Sequence, residues 1–310
     1  MGAELHNPLL DVIMKLVTKM ANGSQTISKD QQSIANAIQL IHIGNYVHQK
    51  GMYDLSKMPN YGNSLPSEHD LILGNKIALL AGDFLLAKAQ MKVTNLRDDK
   101  VLKIISRAMC DVVDSTFIGN HSKFDLPLPF KPGQIPKMSS TAFKDCLEPL
   151  KVTGTSGTAE DEWMLRQTIS RGYLIGKGCY SNAVLAKKTQ AVQENCFELA
   201  KAFFLTCQAF ADLQSFKKEH FVSSQGVNLL SAPTLFHLST EPSLYDVIVL
   251  EAGSLDGINH SKLHRKIVSG PALDLTDKLI KKLKLKTEVQ LKNFADCDEK
   301  SEIENILKQF

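Results

Sequence analysis

Apolar positions recur along this chain at spacings of three and four, the repeat of helices buried on one side. Helix-start signals precede the longest runs. Ser28 with Gln31 forms a capping-box pair opening a helix over 29–49, and Ser67 with Asp70 opens another over 68–93. Thr158 with Asp161 opens 159–187, where Glu160, Asp161 and Glu162 put negative charge at the positive helix end. Residues 97–118 carry Val101, Leu102, Ile104, Ile105, Ala108, Met109 and Val112. That stripe is broad enough to predict cover on more than one side. Further helices are predicted over 190–219, 226–240 (broken by Pro233), 243–252, 258–269, 271–297 and 299–309. No alternating run bounded by hairpin turns is present. Residues 246–250 have a strand-like composition, but a lone strand has no partner. The pattern predicts an all-α protein.

One segment departs from it. Pro127, Pro129, Pro132, Pro136 and Pro149 fall between 119 and 158, five of the chain's 11 prolines. Proline at this density prevents helix. The reading is one helical domain over 1–310 with a Pro-rich loop, 119–158, inserted between core helices, either as a partner contact or lid or as filler.

The chain has 310 residues, 43% hydrophobic and 22% charged, enough for a sizeable core. Its net charge of +3 is too balanced for wrapping nucleic acid. The cations are mostly Lys; the arginines are Arg97, Arg107, Arg166, Arg171 and Arg265. Bidentate phosphate recognition prefers Arg, so this is a poor phosphate reader. Cys110, Cys146, Cys179, Cys196, Cys207 and Cys297 form no C-x-x-C pair, and they read as buried free thiols of a reducing compartment. No apolar run approaches the ~18 residues of a membrane span. The segment from Met1 to Glu4 lacks a secretory signal, and an Arg-rich presequence is not visible, since no Arg precedes Arg97.

Few constellations could carry chemistry. Asp83 follows Gly82 among apolar residues, so it is expected to be paired in the core or to point into a cavity. His42 and His48 are six apart, which favours core or interface histidines over metal ligands. Asp98 and Asp99 read as a solvated helix start. Asp111 with Asp114, and Asp274 with Asp277, lack a facing acidic motif. The Lys-rich run 278–286 reads as an amphipathic helix with a solvated face rather than a membrane binder. Nucleophile–base pairs, Gly-rich phosphate loops and dinucleotide fingerprints are absent.

Two stretches nevertheless stand in a telling order. Leu40, Ile41 and His42 are followed by His48. Then come Gly74, Asn75, Lys76, Ala78, Leu80, Ala81, Gly82, Asp83, Phe84, Leu85, Leu86 and Ala87. This order resembles the all-trans polyprenyl diphosphate synthase family, and the likeness continues through Gly172–Cys179, Gln208 with Asp212, and Asn228–Pro233. Within the family it is nearest to the non-catalytic subunit type of the decaprenyl (solanesyl) synthases. The resemblance implies an isoprenoid-synthase-type helical bundle.

The departures from the family pattern carry the functional expectation. Two Asp-Asp-x-x-Asp motifs should follow His48 and Gln208. Their positions here are Gln49, Lys50 and Tyr53, and Ala211, Asp212 and Ser215. First and last positions of such a motif share a helix face, and two facing motifs can hold Mg²⁺ on a diphosphate. Ala211 offers no ligand. Lys50 adds a repulsive charge worth about 4 kcal/mol per unit of ion charge, for a separation of ~4 Å at an effective dielectric of ~20. The family's diphosphate-binding cations are mostly missing as well, and its Lys-Thr pair appears as Ser170 and Arg171. His48, Lys76, Asp83, Gln208 and Asp212 remain from the family pattern.

The resemblance therefore implies a non-catalytic subunit of a heteromeric synthase making the ubiquinone side chain in mitochondria. It would form a hetero-oligomer, in particular a heterotetramer, with a catalytic homologue. No cofactor is expected on this chain; Mg²⁺ is expected in that partner. No nucleic acid and no transmembrane segment are expected. The helix over 97–118 is the first interface candidate, with loop 119–158 as the second. The competing readings are a prenyl- or quinone-binding module with an apolar cavity capped by Lys50 and Tyr53, and a stand-alone prenyltransferase with altered ligands.

Overall fold

Helix boundaries fall where capping chemistry puts them. In the computed structural model, which describes residues 8–23, 25–52, 67–138, 152–217, 226–254 and 257–310, helix α2 (Lys29–Lys50) and helix α3 (Glu68–Thr94) both start at full capping boxes, on Ser28/Gln31 and Ser67/Asp70. Helix α5 (Ala159–Gln167) starts on Thr158/Asp161. Asp98 caps helix α4 (Asp99–Asp114) by accepting from the Val101 N–H, so the Asp98/Asp99 pair sits at a helix start. Helix α1 (Pro8–Asn22), absent from the sequence reading, precedes these and buries Leu10, Ile13, Met14, Leu16 and Val17.

The predicted helix over 159–187 is in fact three pieces. After α5 comes a π-helical turn (Thr168–Gly172), then helix α6 (Tyr173–Leu185). The extra residue per turn rotates α6 relative to α5 and places Arg171 on the turn itself. All of α6 from Tyr173 to Ala183 is buried, because α1, α2, α4 and helix α7 (Gln190–Gln214) pack around it. Gly176 permits this: a Cβ there would stand 2.8 Å from the Phe197 ring of α7. Helix α7 is flanked in turn by α1, α6 and helix α11 (Ala272–Leu291), with helix α8 (Ala232–Thr240) at its C-terminal end. Helices α9 (Leu244–Ala252), α10 (His260–Ser269) and α12 (Asp298–Leu307) complete the bundle.

Several expectations change. Pro233 lies in the first turn of α8, where its missing N–H costs nothing, so it starts that helix rather than breaking one. Residues 246–250 are helical, within α9. A two-residue antiparallel pair, Lys137–Met138 with Val152–Thr153, does form in the Pro-rich segment. Helix α4 buries Val101, Ile104, Ile105, Ala108 and Val112, and Leu102 and Met109 pack half-buried against the same core, while Val113 is exposed. Cys179, Cys196 and Cys207 are buried, and burial pushes the Cys196 and Cys207 thiols up to about 12. Cys110, however, is exposed and Cys297 half-buried; Cys146 lies outside the described residues. No helix among the described residues is long and apolar enough to cross a membrane.

The first described part of the loop, 119–138, is pinned to α5. The Arg166 guanidinium donates to the Ile118 carbonyl at 2.8 Å, the Leu128 carbonyl at 2.9 Å and Glu162 Oε1 at 2.9 Å. Glu162 Oε1 also accepts from the Phe130 N–H at 3.0 Å, and the Phe130 ring stacks under the guanidinium. Gly119, at φ +82°, is needed there: a Cβ would stand 2.6 Å from Arg166 Nη2.

Candidate functional site

The two motif regions lie at the C-terminal ends of α2 and α7, helices that both pack on α6. On α2, Gln49 and Lys50 are exposed in the last turn, and the chain leaves through Gly51, whose N–H donates to the Val47 carbonyl. Tyr53 lies outside the described residues. On α7, Ala211 and Ser215 are exposed and Gln208 is half-buried. Ser215 Oγ donates to the Asp212 carbonyl of its own helix at 2.7 Å.

Asp212 is the sole carboxylate among these positions, and its oxygens are engaged. Oδ2 accepts from Trp163 Nε1 at 2.8 Å and from the Ala232 N–H at 2.9 Å, while Oδ1 accepts from Gln208 Nε2 at 2.8 Å. It therefore ties α7 to α5 and holds the first turn of α8, whose free N–H groups favour an anion. Burial pushes this carboxyl up, against the hydrogen bonds from Ala232, Trp163 and Gln208 and the charge of Arg171. Arg171 also acts on His42. Burial and, to a lesser degree, the guanidinium charge hold that imidazole down at about 4. A fixed cation on the π-turn is thus felt by both motif-bearing helices.

These positions do not fit a magnesium ion. A hard divalent ion wants several free oxygens. Gln49 and Ser215 supply neutral oxygens, Lys50 a cation and Ala211 nothing, and Asp212 already accepts three N–H donors. Among the described residues, no group of three or more His, Cys, Asp or Glu side chains is arranged to hold a metal.

His48 and Asp83 do meet, but not in the core. Asp83 is exposed, contrary to the expectation of a buried carboxylate; its Oδ1 lies 3.3 Å from His48 Nε2, which is also 3.1 Å from the Leu79 carbonyl. Both neighbours are acceptors, so Nε2 carries the proton. The ring lies against the α3 backbone at Gly82, where a Cβ would stand 2.1 Å from Nε2. Gly82 serves this contact, and Gly44 of α2 packs beside it, its would-be Cβ 3.2 Å from the Gly82 carbonyl. Lys76 is exposed on the same helix.

Helix α3 carries an exposed apolar face. Leu73, Ile77, Leu80, Phe84, Ala87 and Met91 are all exposed, the five large ones between 49% and 66%. Their spacing of 4-3-4-3-4 is the seam of a helix built to pack lengthwise on another helix. The residues α3 buries are small or few: Gly82, Ala89 and Val93. Asp83, Lys76 and Lys88 flank the seam. The block 74–87 that carries the family resemblance is therefore this outward face. The other candidate acids are structural: Asp111 pairs with buried Lys177 and with Arg107, Asp114 with Arg107, and Asp277 with Lys281.

No family model matches the chain. Among individual proteins, it is 29% identical over 278 residues to the mouse all trans-polyprenyl-diphosphate synthase PDSS2, covering 89% of this chain and 62% of that protein. It is 24% identical over 316 residues to the mitochondrial hexaprenyl pyrophosphate synthase of Saccharomyces cerevisiae, covering 91% and 64%. The chain thus spans less than two thirds of the length of either. In fold it matches a decaprenyl diphosphate synthase from Rhodobacter capsulatus with a TM-score of 0.67 at 13% identity, over 99% of this chain and 86% of that one. A heptaprenyl diphosphate synthase from Staphylococcus aureus matches at 0.66 and 16% identity, over 98% and 86%.

Proposed function

We propose that this chain, which has the all-α fold of the polyprenyl diphosphate synthases and resembles them in sequence over most of its length, is a non-catalytic subunit of a heteromeric trans-polyprenyl diphosphate synthase. The observation that carries this reading is Asp212. It is the one acid left at the described motif positions, and Trp163, Ala232 and Gln208 already occupy its oxygens. A catalytic homologue would supply the aspartates, the Mg²⁺ and the grip on diphosphate. The likeness to a mitochondrial hexaprenyl synthase favours mitochondria and the ubiquinone side chain.

The α3 seam is the proposed contact with that homologue, displacing α4, whose apolar side is spent on the core. Six apolar positions at heptad spacing, left open over five turns, match a long partner helix rather than a small ligand. A heterotetramer is the proposed assembly.

Co-expression with a catalytic homologue tests this. The isolated chain, given Mg²⁺, an allylic diphosphate and isopentenyl diphosphate, is expected to show no turnover. The pair is expected to copurify and to turn over faster than the homologue alone, and Leu80→Glu with Phe84→Glu is expected to abolish both effects. Turnover by the isolated chain, or equal activity of the homologue with and without it, refutes the proposal. Self-association through α3 with no affinity for the homologue refutes the heteromeric part.

A further inference from the structure

The Lys-rich run of α11 has a structural counterpart that its composition alone does not reveal. Helix α11 buries Thr276, Leu279, Ile280, Leu283, Thr287 and Leu291 against the bundle. At about 100° per residue, Leu285 and Val289 point nearly opposite to that buried face. They are 63% and 56% exposed, one turn apart. Lys278, Lys282, Lys286 and Lys292, all exposed, surround them on the same outer face. Lys282 pairs with Glu160 of α5 at 2.5 Å. Lys278, Lys286 and Lys292 have no carboxylate within ion-pair distance among the described residues. Of the acids on this helix, Asp277 pairs with Lys281 at 2.6 Å, Glu288 is half-buried, and Asp274 is exposed one turn before Lys278, three turns from Leu285.

Scattered exposed apolar side chains are ordinary on a surface; here two stand one turn apart at the outermost line of the helix, ringed by lysines. A protein–protein seam would carry more of them and fewer lysines, since interface cores are depleted in Lys. A ring of long cationic side chains around a short apolar ridge is the arrangement that suits a bilayer surface. The ridge enters the headgroup boundary, while the lysine stems lie along it and their ammonium groups reach lipid phosphates. We propose that the outer face of α11 is a peripheral docking site for an anionic phospholipid bilayer, with Leu285 and Val289 inserted and Lys278, Lys286 and Lys292 as the free cations. This goes beyond the proposed subunit role and does not depend on it. The surface differs from the α3 seam in sequence, charge and place.

Vesicle flotation of the full purified chain tests the site. The probes are phosphatidylcholine vesicles with and without about 30% phosphatidylserine. Binding is expected to the anionic vesicles and not to the neutral ones, weakening at least tenfold between about 0.1 and 0.5 M salt. Each lysine near an anionic surface contributes about a fivefold change in partitioning. Lys278→Gln with Lys286→Gln and Lys292→Gln should therefore reduce binding by about 100-fold. Leu285→Ser with Val289→Ser should reduce it by about tenfold with the salt dependence retained. All five residues are exposed, so the variants should keep the parent's melting temperature. The salt series on the unaltered chain needs no variant. Absence of binding to anionic vesicles, which is also the result if an acidic protein is the true occupant, overturns the proposal. So does equal binding to neutral vesicles, as the α3 seam alone would give, or equal binding by the lysine variant.

Discussion

Asp212 offers the sharpest separation between a metal-ligand role and a structural one, because the two respond oppositely to Asn and Ala. Asp212→Ala removes the acceptor from two buried donors, Trp163 Nε1 and the Ala232 N–H. Each orphaned donor costs about 1–3 kcal/mol. Gln208 is half-buried and can turn to water, so it adds little. The expected loss is about 4 kcal/mol, a large part of the about 5–15 kcal/mol that a domain has. Asp212→Asn is nearly isosteric. Its amide oxygen can take the place of Oδ2 and keep both buried donors. Its NH₂ then faces Gln208, whose amide flips to present Oε1. The buried charge, which burial disfavours in this structure, is gone. The expected change for Asn is within about 1 kcal/mol. Trp163 is the chain's only tryptophan and is itself one of the donors, so its fluorescence in a urea titration reports this site directly. Asn close to wild type with Ala strongly destabilised is the expected result. If the Asp212→Ala variant proves as stable as the parent, or if Mg²⁺ stabilises the parent and not the Asn variant, the structural account of Asp212 is wrong.

Other perturbations follow the same logic. Arg166→Met leaves Glu162 buried without its cation and frees two loop carbonyls. It should cost about 3–5 kcal/mol and open the 119–138 loop to protease, whereas Arg166→Met with Glu162→Leu should recover much of the loss in a urea titration. His42 is held at about 4 against an unfolded value near 6.5, so the unfolded chain alone takes up its proton as pH falls between these values. Stability should therefore drop by about 2 kcal/mol from pH 7.5 to pH 5, and His42→Gln should flatten that part of the pH profile. Restoring aspartate at Gln49, Lys50, Tyr53, Ala211 and Ser215 should yield no Mg²⁺-dependent turnover, because Asp212 stays bound to its donors and the diphosphate cations are still missing; synthase activity from those five changes would refute this.

The helices were legible wherever a side chain caps them. Ser28, Ser67 and Thr158 announce α2, α3 and α5 because the capping box is written in adjacent residues. The π-turn was not legible, since Thr168–Gly172 has ordinary helical composition and its register is set by what packs on α6. Asp83 illustrates a different failure. Apolar neighbours suggested a buried carboxylate, but those neighbours are themselves exposed, and hydrophobicity cannot say whether a face meets this chain or another one. The same ambiguity bears on α4, the interface candidate read from the sequence: the chain buries much of its apolar stripe internally, while α3 keeps an apolar face exposed. In the candidate site, the missing aspartates were plain in the sequence. The partners of Asp212 were not, because Trp163 and Ala232 lie 49 and 20 residues away along the chain, and only the fold brings them together.

The geometry around α6 shows how the one carboxylate at the described motif positions is held. A cation on the π-turn, Arg171, acts on Asp212. The remaining carboxylate is turned toward three N–H donors from α5, α7 and the start of α8. The carboxylate thus acts as an internal tie at the junction of α5, α7 and α8. Changes that would free Asp212 for a substrate would first loosen the ends of α5, α7 and α8. The block 74–87 has work that draws on no diphosphate chemistry: its Gly82 meets Gly44 of α2 and the His48 ring, holding α2 against α3, and its outward residues serve the proposed contact with another subunit.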